Sequence, residues 1–268
     1  MNTANEAQSI LDKVLSSQQS VALEHFNPSE IVGQALKFLQ TKEADVLRRR
    51  FGLDGQAPET LEEIGRSFKV TRERIRQIER TAKQKLLRDR TAQLTLHPVE
   101  QMVTIYLTSS GGMIDHDSLL RHFLQFSAET KTNIQTLDFL FRELFSEKII
   151  SVRADREFRP AWRLKLSSLE FIRETIRILV EVITKAGHPL SQQEILIAFR
   201  QTDFARQYDH QLTDDGILAA LGISQTLGRN PFGDYGLSSW GSILPRRMHD
   251  KIYLVLRKHG KPLHFTEI

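Results

Sequence analysis

Apolar positions recur at helical spacing through most of the chain and alternate strand-like only in short runs, which predicts a mainly α protein. Ala44, Leu47 and Phe51 form one stripe, Ile64 and Phe68 a second, and Ile75, Ile78, Ala82 and Leu86 a third. Start and stop signals bound these stripes. Asn27-Pro28-Ser29-Glu30 opens a helix expected to run through Leu39. Thr41 is expected to cap the next helix, which Gly52 stops. Thr60-Leu61-Glu62-Glu63 is a capping box, Lys69-Val70 a tight connection, and Thr71 the cap of a longer helix. Two helices joined by so short a turn are the sequence form of a helix-turn-helix.

Farther along, Gly187-His188-Pro189-Leu190-Ser191-Gln192-Gln193-Glu194-Ile195 matches Gly260-Lys261-Pro262-Leu263-His264-Phe265-Thr266-Glu267-Ile268 at Gly, Pro, Leu, Glu and Ile. A degenerate copy starts near Gly112-Met113-Ile114. Similar spacing twice suggests repeated domains. The first copy continues with a helix through Ile134, Leu137, Leu140, Phe141 and Leu144, then β-like runs at Ile149 to Val152 and Phe158 to Leu166. The second has helices near 168 to 186, 191 to 200 and 213 to 221, then a Gly-rich stretch suited to a wing.

The expected fold class is therefore mainly α: a helix-turn-helix domain followed by winged-helix domains, each three helices plus a β-hairpin. The expected division is a tail or linker at 1–26, holding a weak helix through Ile10, Leu11, Val14 and Leu15. The helix-turn-helix at 27–91 follows, then winged-helix-like domains at 98–166 and 168–243, and the start of a further one at 245–268. That last copy stops inside its second helix, so the chain is expected to be part of a longer protein.

Charge sharpens this division. The 268 residues carry 37 Lys and Arg against 33 Asp and Glu, a net +4, which says little if spread evenly. Residues 41–90, however, hold 14 basic and nine acidic side chains, and residues 66–90 hold ten basic against three acidic. All the excess positive charge lies in the helix-turn-helix, the electrostatic footprint of a nucleic-acid partner.

A recognition helix turns one face to the core and the other to base edges in the major groove. With Ile75, Ile78, Ala82 and Leu86 inward, the outward face is Glu73, Arg76, Gln77, Arg80 and Gln84, flanked by Arg72. Arg donates twice to guanine, Gln pairs with adenine and Glu accepts from the cytosine amino group. Arg72, Glu73, Arg76, Gln77 and Arg80 are the base-reading candidates, and Lys83, Lys85 and Arg88 the phosphate candidates. Glu79 with Lys83 also has the spacing of a local ion pair on a solvated helix.

Three runs, Glu43 to Leu53 (EADVLRRRFGL), Thr60 to Gly65 (TLEEIG) and Val70 to Glu79 (VTRERIRQIE), resemble region four of the primary sigma factors of bacterial RNA polymerase. The resemblance covers about residues 30–90. It implies binding to double-stranded promoter DNA at a minus-35-type element and docking on the β flap of core RNA polymerase. It implies Arg72, Glu73, Arg76 and Gln77 as base readers, and backbone contacts from Lys42, Arg50, Leu61 and Thr71. Full sigma factors carry a promoter-melting region before region four, and only 26 weakly patterned residues precede it here. The end, Arg246 to Ile268, resembles the opening of a HARE helix-turn-helix domain and carries no site residues.

Other chemistry finds little footing. The absence of Cys removes disulfides and thiolate metal sites, and no HExxH pair or phosphate loop occurs. Asp115-His116-Asp117 lacks further ligands at metal spacing. Trp162 and Trp240 are expected to pack against helices. No cofactor, metal or catalytic residue is expected, nor a membrane segment, and a cytoplasmic, nucleoid-associated location fits. The expected function is a non-enzymatic, sigma-like transcription factor. The competing readings are a DNA-binding regulator that never touches polymerase, and an interaction scaffold of winged helices.

Overall fold

A computed structural model describes residues 26–245, 247–261 and 263–264. The expected tail helix, Arg246, Pro262 and residues 265–268 of the C-terminal copy lie outside the described residues. The chain is mainly helical and divides into two compact units. One holds the described residues up to Ile105 with Asp117–Ile149, and the other holds Tyr106–His116 with the described residues from Ile150 onward.

The first unit begins with α1 (Pro28–Leu36), which closes three residues before the expected Leu39 because Lys37 to Leu39 form a turn. The Asn27 carboxamide oxygen accepts from the Ser29 hydroxyl (2.8 Å) instead of capping the main chain. In α2 (Thr41–Phe51) the cap falls on Gln40, whose N–H donates to Glu43 Oε2 (3.1 Å), so Thr41 is the first helical residue rather than the cap. Gly52 ends α2 in the left-handed conformation, φ 67°.

The Thr60–Glu63 box opens α3 (Leu61–Phe68): Glu63 N–H donates to Thr60 Oγ1 (3.2 Å) and Thr60 N–H to Glu63 Oε2 (2.7 Å). Lys69, at φ 56°, turns the chain into α4 (Arg72–Arg88), whose cap Thr71 accepts from Arg74 N–H at 3.2 Å. Val46, Ile64 and Ile75, each wholly buried, join the three helices into one core, with Leu61, Phe68, Val70 and Ile78 packed around it.

Asp89 accepts the N–H groups of Thr91 and Ala92 (2.9 Å each) and starts α5 (Arg90–Ser109). Next come α6 (His116–Leu124) and α7 (Lys131–Phe139), the latter capped by Thr130 and continued by a π turn at Leu140–Leu144. One stripe of α7 and the π turn lies against the helix-turn-helix. A Cβ on Gly55 would meet Thr132 Oγ1 at 2.6 Å, and Gln135 Nε2 donates to the Gln56 carbonyl (3.0 Å). The rings of Phe139 and Phe51 lie 4.7 Å apart, and Glu143 reaches Lys83.

In the second unit β1 (Met113–Asp115), β2 (Ile149–Val152) and β3 (Ala161–Leu164) form a sheet in the order β1-β3-β2, with Met113 opposite Arg163. Trp162 on β3 is buried and its indole N–H donates to His116 Nδ1 (2.9 Å), which gives that histidine a structural partner. Then follow α8 (Leu169–Ala186), α9 (Gln192–Arg200), α10 (Asp203–Gln207), α11 (Asp214–Ile223) and the hairpin of β4 (Leu227–Arg229) with β5 (Tyr235–Leu237). Leu179, Ile183, Ile195, Phe199, Ile217 and Leu227 fill the core, with Trp240 packed on it. The last helix, α12 (Met248–His259), ends at Gly260, φ 66°.

Candidate nucleic-acid interface

The sequence of α4 divides its surface in two. Ile75, Ala82 and Leu86 are buried, and Arg72, Glu73, Arg76, Gln77 and Arg80 are all exposed. The turn before α4 makes this possible. Gly65 brings α3 so close to the connection that a Cβ there would lie 2.9 Å from the Val70 carbonyl oxygen. Lys69 accepts a left-handed backbone that costs a non-Gly residue about 1–2 kcal/mol. The N-terminal half of α4 is thus held out as a rigid, solvated edge.

Its side chains are organised before any ligand arrives. The Arg76 guanidinium donates to both oxygens of Glu73 (2.7 and 2.6 Å), and Arg74 donates to the Gln77 carboxamide oxygen at 3.2 Å. The hydrogen bond from Arg76 holds the Glu73 carboxyl below the usual carboxylate range, so it stays ionised and acceptor-only. Arg72, Arg80 and Arg88 make no side-chain hydrogen bond or ion pair among the described residues and present open guanidinium groups.

Among the backbone candidates, Lys42 is exposed with its ammonium 5.1 Å from the Phe68 ring centre, and Thr71 is exposed beside the turn. Leu61 is half-buried against the three-helix core. Arg50 donates to the Glu59 carbonyl (3.0 Å) and stands 3.6 Å from Glu79. Lys85 is held by Glu43 at 2.6 Å, yet its side chain stays 44% exposed.

Lys83 departs from the expectation of a free phosphate ligand. Its ammonium is bound by Glu79 (2.7 Å) and Glu143 (2.6 Å), and the side chain is 21% exposed. Burial alone would lower its pKa, but the two carboxylates outweigh that and raise it. The charge is therefore permanent and already compensated.

Sequence reasoning missed what holds the edge in place. Arg49 grips both oxygens of Glu59 (2.8 and 2.7 Å) and donates to the Ser67 hydroxyl (2.6 Å), tying α2 to both ends of α3. Glu43 and Glu143 lie 42 and 60 residues from the lysines they bind, beyond the reach of any local spacing rule.

Among the described residues, α7 and α11 offer no comparable edge. The face of α7 lies against the helix-turn-helix, and α11 opens with Asp214 and Asp215. Arg200, near α11, is taken up by Asp209 (2.9 Å) and Asp214 (2.7 Å). Among the described residues no helix is long and apolar enough to cross a membrane.

A basic helix held out by a tight turn over a shared core has the form of a helix-turn-helix. Residues 35–87 match the family described as Sigma-70, region 4. The relatives that match here are sigma factors. The chain is 56% identical over 57 residues to RNA polymerase sigma factor RpoD of Neisseria gonorrhoeae, which covers 21% of this chain and 9% of that protein. It is 59% identical over 56 residues to RNA polymerase sigma factor SigA of Clostridium acetobutylicum, covering 20% and 15%. SigA of Nostoc is 56% identical over 57 residues, 15% of its length. The chain thus spans less than a sixth of each of these curated relatives.

Proposed function

We propose that this protein is a sigma-like transcription factor that binds a minus-35-type promoter element through α4 and docks on the β flap of core RNA polymerase. The observation that carries the reading is the exposed run of Arg72, Glu73, Arg76, Gln77 and Arg80 on a region-four helix-turn-helix. Arg72, Arg76 and Arg80 supply guanine-type donors, Gln77 an adenine-type pair and Glu73 an acceptor for the cytosine amino group. Lys42, Arg50, Leu61, Thr71, Lys85 and Arg88 are assigned to the sugar-phosphate backbone. The later helix-and-hairpin segments are assigned a winged-helix role in protein contact or spacing, because the rest of the chain carries a net charge near −1. The protein is assigned no enzymatic activity and a cytoplasmic location.

Two measurements test this. Titration of duplexes with and without a minus-35-like hexamer is expected to show preference for the hexamer, and equal weak affinity for both refutes sequence-specific reading. Retention of purified core polymerase by the immobilised chain at moderate salt is expected, and its absence leaves a DNA-binding regulator that does not touch polymerase.

A further inference from the structure

Glu73, Arg76, Arg80 and Lys83 follow one another at i, i+3, i+7 and i+10, so they form a single stripe along α4. The stripe is open as far as Arg80 and closed at Lys83, where Glu143 arrives from the π turn and binds the ammonium at 2.6 Å. Glu143 is not a floppy surface partner. It follows α7, which is anchored on the helix-turn-helix by Phe139 against Phe51 and by Gln135 on the Gln56 carbonyl. A carboxylate fixed in this way presents to Lys83 the oxygen acceptor and negative charge that a DNA phosphate would offer.

We propose that Glu143 is an intramolecular stand-in for a DNA phosphate, occupying Lys83 and ending the basic stripe of α4 one contact early. Glu79 also holds Lys83, at 2.7 Å, but it sits one helical turn away on the same helix and is shared with Arg50 (3.6 Å). Among the described residues Glu143 pairs with Lys83 alone, whereas Glu79 divides its carboxylate between Lys83 and Arg50. Glu143 is thus the group that withholds Lys83. The consequence is weaker and less salt-sensitive binding to any duplex, with base reading left to Arg76 and its neighbours. The inference rests on the DNA-binding reading above.

The test measures the salt dependence of duplex binding by the whole chain and its Glu143→Gln variant, with a thermal melt of each. Each phosphate neutralised steepens the slope of log K against log salt by about 0.9. Glu143→Gln is expected to steepen it by that amount on matched and mismatched duplexes alike. A fourfold rise in salt then weakens the variant about 3.5-fold more than the parent. An unchanged slope in a folded variant overturns the proposal while leaving DNA binding intact, whereas failure of the parent to bind any duplex overturns both. Should Glu143→Gln loosen the unit, Lys83→Ala in the otherwise intact chain decides. No change in slope is expected, and a slope shallower by about 0.9 refutes the proposal because Lys83 would already be meeting phosphate.

Discussion

Arg76 and Glu73 hold each other by two hydrogen bonds, 2.7 and 2.6 Å, on the exposed edge of α4. Both side chains are more than half exposed, so the pair contributes little stability and its value lies in orientation. It keeps an acceptor and a two-pronged donor side by side on the solvent-facing edge of α4.

Removing the donor is therefore expected to act on recognition and not on folding. Arg76→Ala should weaken binding to the preferred duplex by about one to two orders of magnitude and flatten the ranking of sequences at one position. Competition titrations against single-base variants measure this. Glu73→Ala should instead relax the ranking while retaining affinity, because the guanidinium it steers is left free to meet other acceptors.

Lys85 tests the division between base reading and phosphate contact. Its ammonium leans on Glu43 from a half-exposed side chain, so a phosphate can recruit it. Lys85→Ala should weaken every sequence alike and make the salt slope shallower by about 0.9. A loss confined to particular base pairs would mean that the faces of α4 have been assigned wrongly.

The tight turn offers a stability test independent of DNA. Gly65→Ala places a methyl group 2.9 Å from the Val70 carbonyl oxygen, which is main chain and cannot swing aside. The strain is expected to cost about 1–3 kcal/mol, read as a lower denaturation midpoint. Gly33→Ala, with nothing within 4 Å of its Cβ, is the matched control and should be neutral or stabilising.

These residues show why the fold was largely legible and the site only partly so. Capping is local, and the Thr60–Glu63 box, the Thr71 cap and the Gly52 stop all stand where three- and four-residue rules place them. The exposed face of α4 was legible for the same reason, since helical spacing alone separates Arg76 from Ile75. Gln40 displaced Thr41 as a cap because Glu43, three residues on, bonds its N–H. The fates of Lys83 and Lys85 depend on Glu143 and Glu43, which only the tertiary packing brings near. Compactness likewise groups Asp117–Ile149 with the helix-turn-helix, although the order of elements along the chain suggests a separate domain.

The pH dependence of the first unit follows from His122. Burial pushes its imidazole below the ordinary histidine value, with the rings of Phe123 and Phe126 edge-on at 5.2 and 5.7 Å. A folded state that resists the proton loses stability once the unfolded chain begins to take it up. Above about pH 6.5 the imidazole is neutral in both states and has no effect; as pH falls below that value, stability declines until the folded-state pKa is passed. Carboxylates act lower. Glu59, whose pKa is lowered chiefly by its hydrogen bond from Arg49, contributes stability that is present above the ordinary carboxylate range and lost only below about pH 4.5. The interval between about pH 6.5 and 4.5 therefore isolates the histidine among the shifted groups. Urea midpoints of the whole chain should fall across it, and His122→Gln should remove most of that fall while leaving the steeper loss at lower pH. An unchanged profile in the variant would assign the decline to another group.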